Sequence, residues 1–144
     1  MIRKYDENEI PALLAIWEEA AAIAHPFLSN EFHTMVKEMM SEKYLPDSDT
    51  WVYEESGKVV GFISMIGNEI GGLFIDPKSQ SKGIGTSLVN HIAQFHSEIE
   101  VEVFQENRIG RPFYEKSGFK FLKEYFMDGA DQIVMRMKKV IPNS

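Results

Sequence analysis

Apolar residues recur along this chain at two periods, and the changes of period mark its elements. Ile10, Leu13, Leu14, Trp17 and Ala21 fall on one face of a helix, at the three-and-four spacing of a half-buried helix. Asp6 and Glu9 stand just before it and read as a capping box. Pro11 sits in the first turn, where its missing N–H is harmless. Ile2 to Tyr5 predicts a short strand ahead of the helix. His25-Pro26-Phe27 ends it, after the small residues Ala20 to Ala24 that let neighbours pack closely. Ser29 or Asn30 caps a second helix whose apolar face is Phe32, Met35, Val36 and Met39, and Leu45-Pro46-Asp47 closes that segment.

The period then changes to two. Trp51 and Tyr53 share one face of a strand over Thr50 to Glu54. Glu55-Ser56-Gly57-Lys58 reads as a hairpin turn, Val59 to Ile66 as the returning strand, and Glu69 to Ile75 as a third member after a Gly67-Asn68 turn. Asp76-Pro77 stops that strand, because proline has no N–H to offer a ladder. A helix over Gly83 to His96 follows, marked by Ile84, Leu88, Ile92 and Phe95. Ile99, Val101 and Val103 then alternate with Glu98, Glu100 and Glu102 in a strand ending at Phe104. Asn107 to Lys116 predicts a short helix, and Phe119 to Met127 and Gln132 to Met137 the last two strands. The order is β-α-α-β-β-β-α-β-α-β-β. It predicts a single α/β (α+β) domain over residues 1–139, with a mostly antiparallel sheet and a loose tail over 140–144.

The segment joining the third meander strand to its helix carries the first chemical signal. Gln80-Ser81-Lys82-Gly83-Ile84-Gly85-Thr86 places a glycine pair between a strand and a helix start. Free N–H groups and the positive end of the helix dipole converge there, which suits a phosphate or pyrophosphate. A nucleotide P-loop would need Gly-Lys-Ser/Thr, and a dinucleotide fingerprint would need a third glycine where Leu88 stands.

Composition narrows the partners. The 144 residues are 44% hydrophobic, enough for one domain with its own core. A net charge of −7 argues against a nucleic-acid footprint and accords with cationic substrates such as amines. There is no cysteine, so disulfides and a cysteine-bound acyl intermediate are excluded. No apolar run reaches the roughly 18 residues of a membrane span, and the start does not read as a signal peptide; a cytoplasmic protein, monomer or homodimer, is expected. The four histidines are not spaced as a metal site: His91 and His96 are five apart on their helix.

The pattern Gln80-x-x-Gly83-x-Gly85, entered through Ile75-Asp76-Pro77, resembles the acetyl-coenzyme A (acetyl-CoA) pyrophosphate loop of GNAT-type N-acetyltransferases. Downstream, Asn107-x-x-Gly110-x-x-Phe113-Tyr114…Gly118-Phe119 resembles that family's Asn-x-x-Ala-x-x-Phe-Tyr…Gly-Phe segment, with glycine in place of alanine. The resemblance spans nearly the whole chain. It implies the GNAT acyl-CoA N-acyltransferase fold, with about four helices around a splayed sheet, and acetyl-CoA as cosubstrate without a metal. Acetyl would pass to a primary amine by direct attack in a ternary complex. The acceptor classes it allows are a protein lysine or N-terminus or a small amine; a non-catalytic acyl-CoA-binding regulatory module is the alternative.

Acetyl transfer makes three demands: a proton must leave an ammonium, fixed N–H donors must meet the thioester oxygen, and the departing thiolate needs a proton. By resemblance, backbone groups of Leu73, Phe74 and Ile75 hold the thioester, and Tyr114 serves the sulfur. The N–H groups of Ser81 through Thr86 hold the pyrophosphate with Gln80 at the entrance, Lys82 adding charge at the rim and Asn107 touching the pantetheine arm. Glu69 is expected as the general base, since it stands eleven residues before Gln80 as a catalytic glutamate does in several members. Ordered water and Glu102 are the alternatives. His25 is expected in a local hydrogen bond, with contact to the acceptor as the alternative, and Trp17 and Trp51 in the core.

Overall fold

The computed structural model describes residues 1–80 and 82–142. Seven strands form one sheet in the order β1-β2-β3-β4-β5-β7-β6. β1 (Ile2–Lys4), β2 (Asp49–Glu55), β3 (Lys58–Ile66) and β4 (Glu69–Ile75) are joined antiparallel. β5 (Glu98–Phe104) runs parallel to β4, and β7 (Gln132–Val140) lies antiparallel between β5 and the edge strand β6 (Lys120–Met127). The hairpin at Ser56-Gly57 has φ of 53° and 78°, the doubly left-handed turn whose twist matches its strands. β7 runs further than the alternation predicts. Lys138, Lys139 and Val140 pair with Glu100, Ile99 and Glu98, so the expected tail begins one residue later.

Helix α1 (Ile10–Ala24) buries Leu13, Ile16, Trp17, Ala20 and Ala21. Leu13, Ile16, Trp17 and Ala21 join Val52 and Phe62 in the core on one face of the sheet. The capping box forms: the Asp6 N–H donates to Glu9 Oε1 at 2.8 Å. Arg3 then bridges Glu9 and Glu54 at 2.7 and 2.9 Å, tying the helix start to β2. On the other face, α4 (Ile84–Ala93) buries Ile84, Leu88, Val89 and Ile92 against Ile63, Met65, Ile99 and Val101. α4 ends before Phe95, which is therefore not on its core face. That ring is 59% exposed and stacks on Trp51 at 5.9 Å.

Helix α2 (Asn30–Met39) is capped by the Ser29 hydroxyl, which accepts the Phe32 N–H at 3.1 Å. It passes through a π turn at Met40–Tyr44 into the single turn α3 (Leu45–Asp47). Met40 and Leu45 are buried, and the Tyr5 hydroxyl donates to the Leu45 carbonyl at 2.9 Å. The segment is thus anchored at its C-terminal end. Within α2 itself no residue is buried. Among the described residues no helix is long and apolar enough to cross a membrane.

Two local features open the sheet in its middle. Ser64 pairs with Gly72 and Met65 with Ile70, so Gly71 is the extra residue of a β-bulge in β4. β4 and β5 pair at only two positions, Glu69 with Glu100 and Ile70 with Val101, and then diverge. Beyond Ile70 the two strands bound a wedge.

Candidate active site

The wedge is the floor of a cavity of about 770 Å³, walled by α1 and α2 on one side and by the starts of α4 and α5 (Gly110–Lys116) on the other. The phase of β4 decides which backbone groups face it. Asp76 N–H donates to Val60 O at 2.8 Å. Counting back by twos, Phe74 and Gly72 turn toward β3, and Leu73 and Ile75 turn their N–H and C=O groups into the gap with β5. Leu73, Phe74 and Ile75 all line the cavity. The Ile75 carbonyl is taken by Gln80, whose Nε2 donates to it at 3.2 Å. Gln80 thereby ties the loop back onto the strand it leaves.

The loop meets α4 at Gly83, whose φ is +79°. A side chain there would be strained, but no atom lies within 4 Å of where its Cβ would stand. Gly83, Ile84, Gly85 and Thr86 line the cavity at the helix start, where N–H groups lack intrahelical acceptors. Gly85 is small for a different reason than an approaching ligand: its Cβ would stand 3.2 Å from the Phe113 ring of α5. Lys82, expected to add charge at the rim, is not among the residues of the cavity wall; its Nζ lies 3.5 Å from Glu55. Ser81, expected in the pyrophosphate loop, lies outside the described residues.

Across the cavity, Asn107 organises the start of α5. Its Oδ1 accepts the N–H groups of Ile109 and Gly110 at 3.1 and 2.8 Å. That fixes the amide so that Nδ2 faces His25 Nε2, at 3.3 Å. An NH₂ group only donates, so Nε2 accepts and the imidazole proton sits on Nδ1. A Cβ on residue 110 would come within 2.5 Å of Asn107 Nδ2, which explains glycine where the resembled pattern has alanine. His25 also packs edge-on against Phe27 and Phe104. The hydrogen bond of His25 is thus not local: it joins the end of α1 to the start of α5, and His25 also lines the cavity.

Burial pushes the His25 imidazole down to about 4 from its ordinary 6.5. Between those values the unfolded chain binds a proton that the folded chain refuses, so stability falls as the pH drops through that range. From pH 7 to pH 5 the loss is about 2 kcal/mol. Urea unfolding at the two pH values should show it, and His25→Gln, which accepts the same bond and does not titrate, should lose correspondingly less. Equal losses in both proteins would remove His25 as the cause.

Tyr114 lines the same cavity and is 7% exposed, with Phe113 and Phe119 edge-on at 5.2 and 5.3 Å. Burial alone pushes its phenol well above the ordinary value, with no hydrogen bond or charge contributing. It therefore holds its proton throughout the working range and can only donate it to something inside the cavity.

The carboxylates are arranged otherwise than the chain order suggests. Glu69 is not on the cavity wall; among the described residues Glu102 is the one carboxylate there. Both belong to a cluster around Arg136 of β7. Its Nε donates to Glu100 at 2.5 Å, Nη1 to Glu102 at 2.9 Å and Nη2 to Glu69 at 2.7 Å. The hydrogen bonds to Glu100 and Glu69 raise the guanidinium further above its ordinary value. Tyr125 of β6, pushed up to about 12 by burial and by a hydrogen bond to Glu102, stands beside them. The alternating glutamates of β5 signal a polar face in need of a counterion. Nothing in the linear order says that Arg136 supplies it, because β7 reaches β5 only through the tertiary topology. Trp17 is core, 4% exposed, and also touches the cavity; Trp51 packs with α4 on the far face.

Residues 3–139 match the family model described as an acetyltransferase (GNAT) domain. The peptidyl-lysine N-acetyltransferases YiaC and YjaB of Escherichia coli K12 are each 34% identical over 120 residues. These are 83% of this chain and 82% and 81% of theirs. The solution structure of apo YjaB from Escherichia coli superposes with a TM-score of 0.87 at 30% identity, covering 99% of this chain and 98% of that one. At the level of fold alone, PaiA N-acetyltransferase of Thermoplasma acidophilum, solved with coenzyme A, has a TM-score of 0.78 at 23% identity, over 97% and 98% of the chains. Relatives named for catalysis favour the enzyme over the non-catalytic module. With the splayed strands, the glycine loop and the Asn-to-Tyr helix all facing one cavity, the chain belongs to the GNAT acetyltransferases, which use acetyl-CoA to acetylate an amine.

Proposed function

We propose that this enzyme acetylates the side-chain amine of protein lysines, with Glu102 and Tyr114 as the proton-handling pair. The lysine reading takes its support from YiaC and YjaB, which bear that name. Acetyl-CoA supplies an activated acyl thioester. The chain's part is to hold it along β4 through Leu73 and Ile75, to receive its pyrophosphate at Gly83 to Thr86, and to manage two protons. Lys82 precedes that stretch, and Asn107 sets the far wall where the pantetheine arm passes.

Glu102 anchors the ammonium at the cavity wall and passes its proton to water. The observation that carries this is the presence of Glu102 and Tyr114 on one cavity while Glu69 is off it. Glu69 then acts through Arg136, which it shares with Glu102. Tyr114, kept protonated, donates to the departing sulfur.

Glu102→Gln keeps the size and leaves Arg136 its bonds to Glu69 and Glu100. It should lower kcat/KM for a lysine peptide about a hundredfold at pH 7. The deficit should close as the pH approaches the amine's own value near 10, where solution supplies the free base. An unchanged kcat/KM at pH 7 would reject Glu102; a deficit in Glu69→Gln alone, with the same pH recovery, would restore the sequence's first candidate.

A further inference from the structure

The helix α2 is amphipathic, with Phe32, Met35, Val36 and Met39 on one face, yet none of its residues is buried. A helix with such a stripe ordinarily faces a core. Here all four residues line the cavity, and Met35 and Met39 are 45% and 38% exposed. Trp17 and Phe62 line the cavity beside them, with Val36 packed against the cluster they belong to and His33 stacked on Trp17. This apolar half belongs to the same cavity as Glu102 and Tyr114, so an occupant can extend from it to the reacting centre.

The charges say what kind of molecule that is. A polyamine or another polycation would need several carboxylates, and among the described residues the cavity wall offers only Glu102. One carboxylate fits one ammonium, and the rest of the surface asks for apolar contact. Methionines on an unbranched stem adapt to differently shaped partners. The half-exposed mouth suits a side chain brought in beside the lysine more than a small molecule enclosed on all sides.

Resting on the lysine reading, we propose that the preferred acceptor is a lysine flanked by a large apolar residue, which seats on the α2 face at Met35, Val36 and Met39 while the lysine reaches Glu102. Two lysine peptides of equal length and charge, one with Phe and one with Ser beside the lysine, test this. The Phe peptide should have a kcat/KM higher by about tenfold or more, carried by KM, as expected for burying one large apolar side chain. Met39→Glu, at a partly exposed position, should bring the two peptides to near equality and leave the acetyl-CoA Kd unchanged. Binding is read separately from transfer by Trp17 emission in a Trp51→Phe background. The Phe peptide should shift it saturably, and the Ser peptide at the same concentrations should not.

Emission shifts without transfer would keep the apolar seat and reject the lysine transferase reading. Equal handling of the two peptides in both measurements, or tighter binding of spermidine than of the Phe peptide, would overturn the proposal. So would a preference for butyryl-CoA over acetyl-CoA that Met39→Glu removes, since the face would then hold the acyl chain.

Discussion

Tyr114→Phe should lower kcat about a hundredfold and leave acetyl-CoA binding and the fold unchanged. The substitution removes one hydroxyl and keeps the ring. The edge-on contacts with Phe113 and Phe119, which are what a core aromatic contributes at this position, therefore survive. What is lost is a proton donor that burial holds in its protonated form. Two signatures separate this from a packing effect. The deficit should shrink with an acyl donor whose leaving thiol is more acidic and needs less protonation. In the parent enzyme, no loss of rate assignable to the phenol should appear up to about pH 10, the ordinary tyrosine value. A Phe variant with parental kcat would reduce Tyr114 to a core residue.

Gly83→Glu should weaken acetyl-CoA binding at least about a hundredfold. A carboxylate there would sit at the N-terminus of α4, where the proposed pyrophosphate is received. Two like charges about 4 Å apart at a protein surface repel by about 4 kcal/mol, more than enough for that factor. The position is better suited to the test than Gly85. The space around a Cβ on residue 83 is open, whereas one on residue 85 would press on Phe113 beside Tyr114. Asn tolerates left-handed φ better than most residues and adds no charge, so Gly83→Asn separates repulsion from backbone strain.

The order of strands and helices was legible because it rests on local period, and so were both motifs, which are contiguous in sequence. What the period could not carry is whatever depends on strands distant in the chain. The Gly71 bulge and the two-residue pairing of β4 with β5 open the wedge. Gly71-Gly72 was its one visible trace, since glycine in a strand often marks a bulge. Glu69 was chosen by its distance from Gln80, a measure along the chain. In space, the insertion of β7 beside β5 places Arg136 among Glu69, Glu100 and Glu102, and leaves Glu102 on the cavity. The α2 face shows the converse limit. Its stripe was correctly read as apolar, but a stripe predicts burial only where a neighbour fills the space, and here that space is the cavity.

Acetyl-CoA held where β4 leaves the sheet and α4 begins must lose its seat when that point carries a negative charge. Calorimetric titration of acetyl-CoA into the parent, Gly83→Asn and Gly83→Glu, each with a matching unfolding curve, tests it most directly. The parent should show one site per chain, Gly83→Asn most of that affinity, and Gly83→Glu heats too small to fit at the same concentrations. A folded Gly83→Glu that binds acetyl-CoA as tightly as the parent would contradict it, because no cofactor phosphate could then lie at the start of α4.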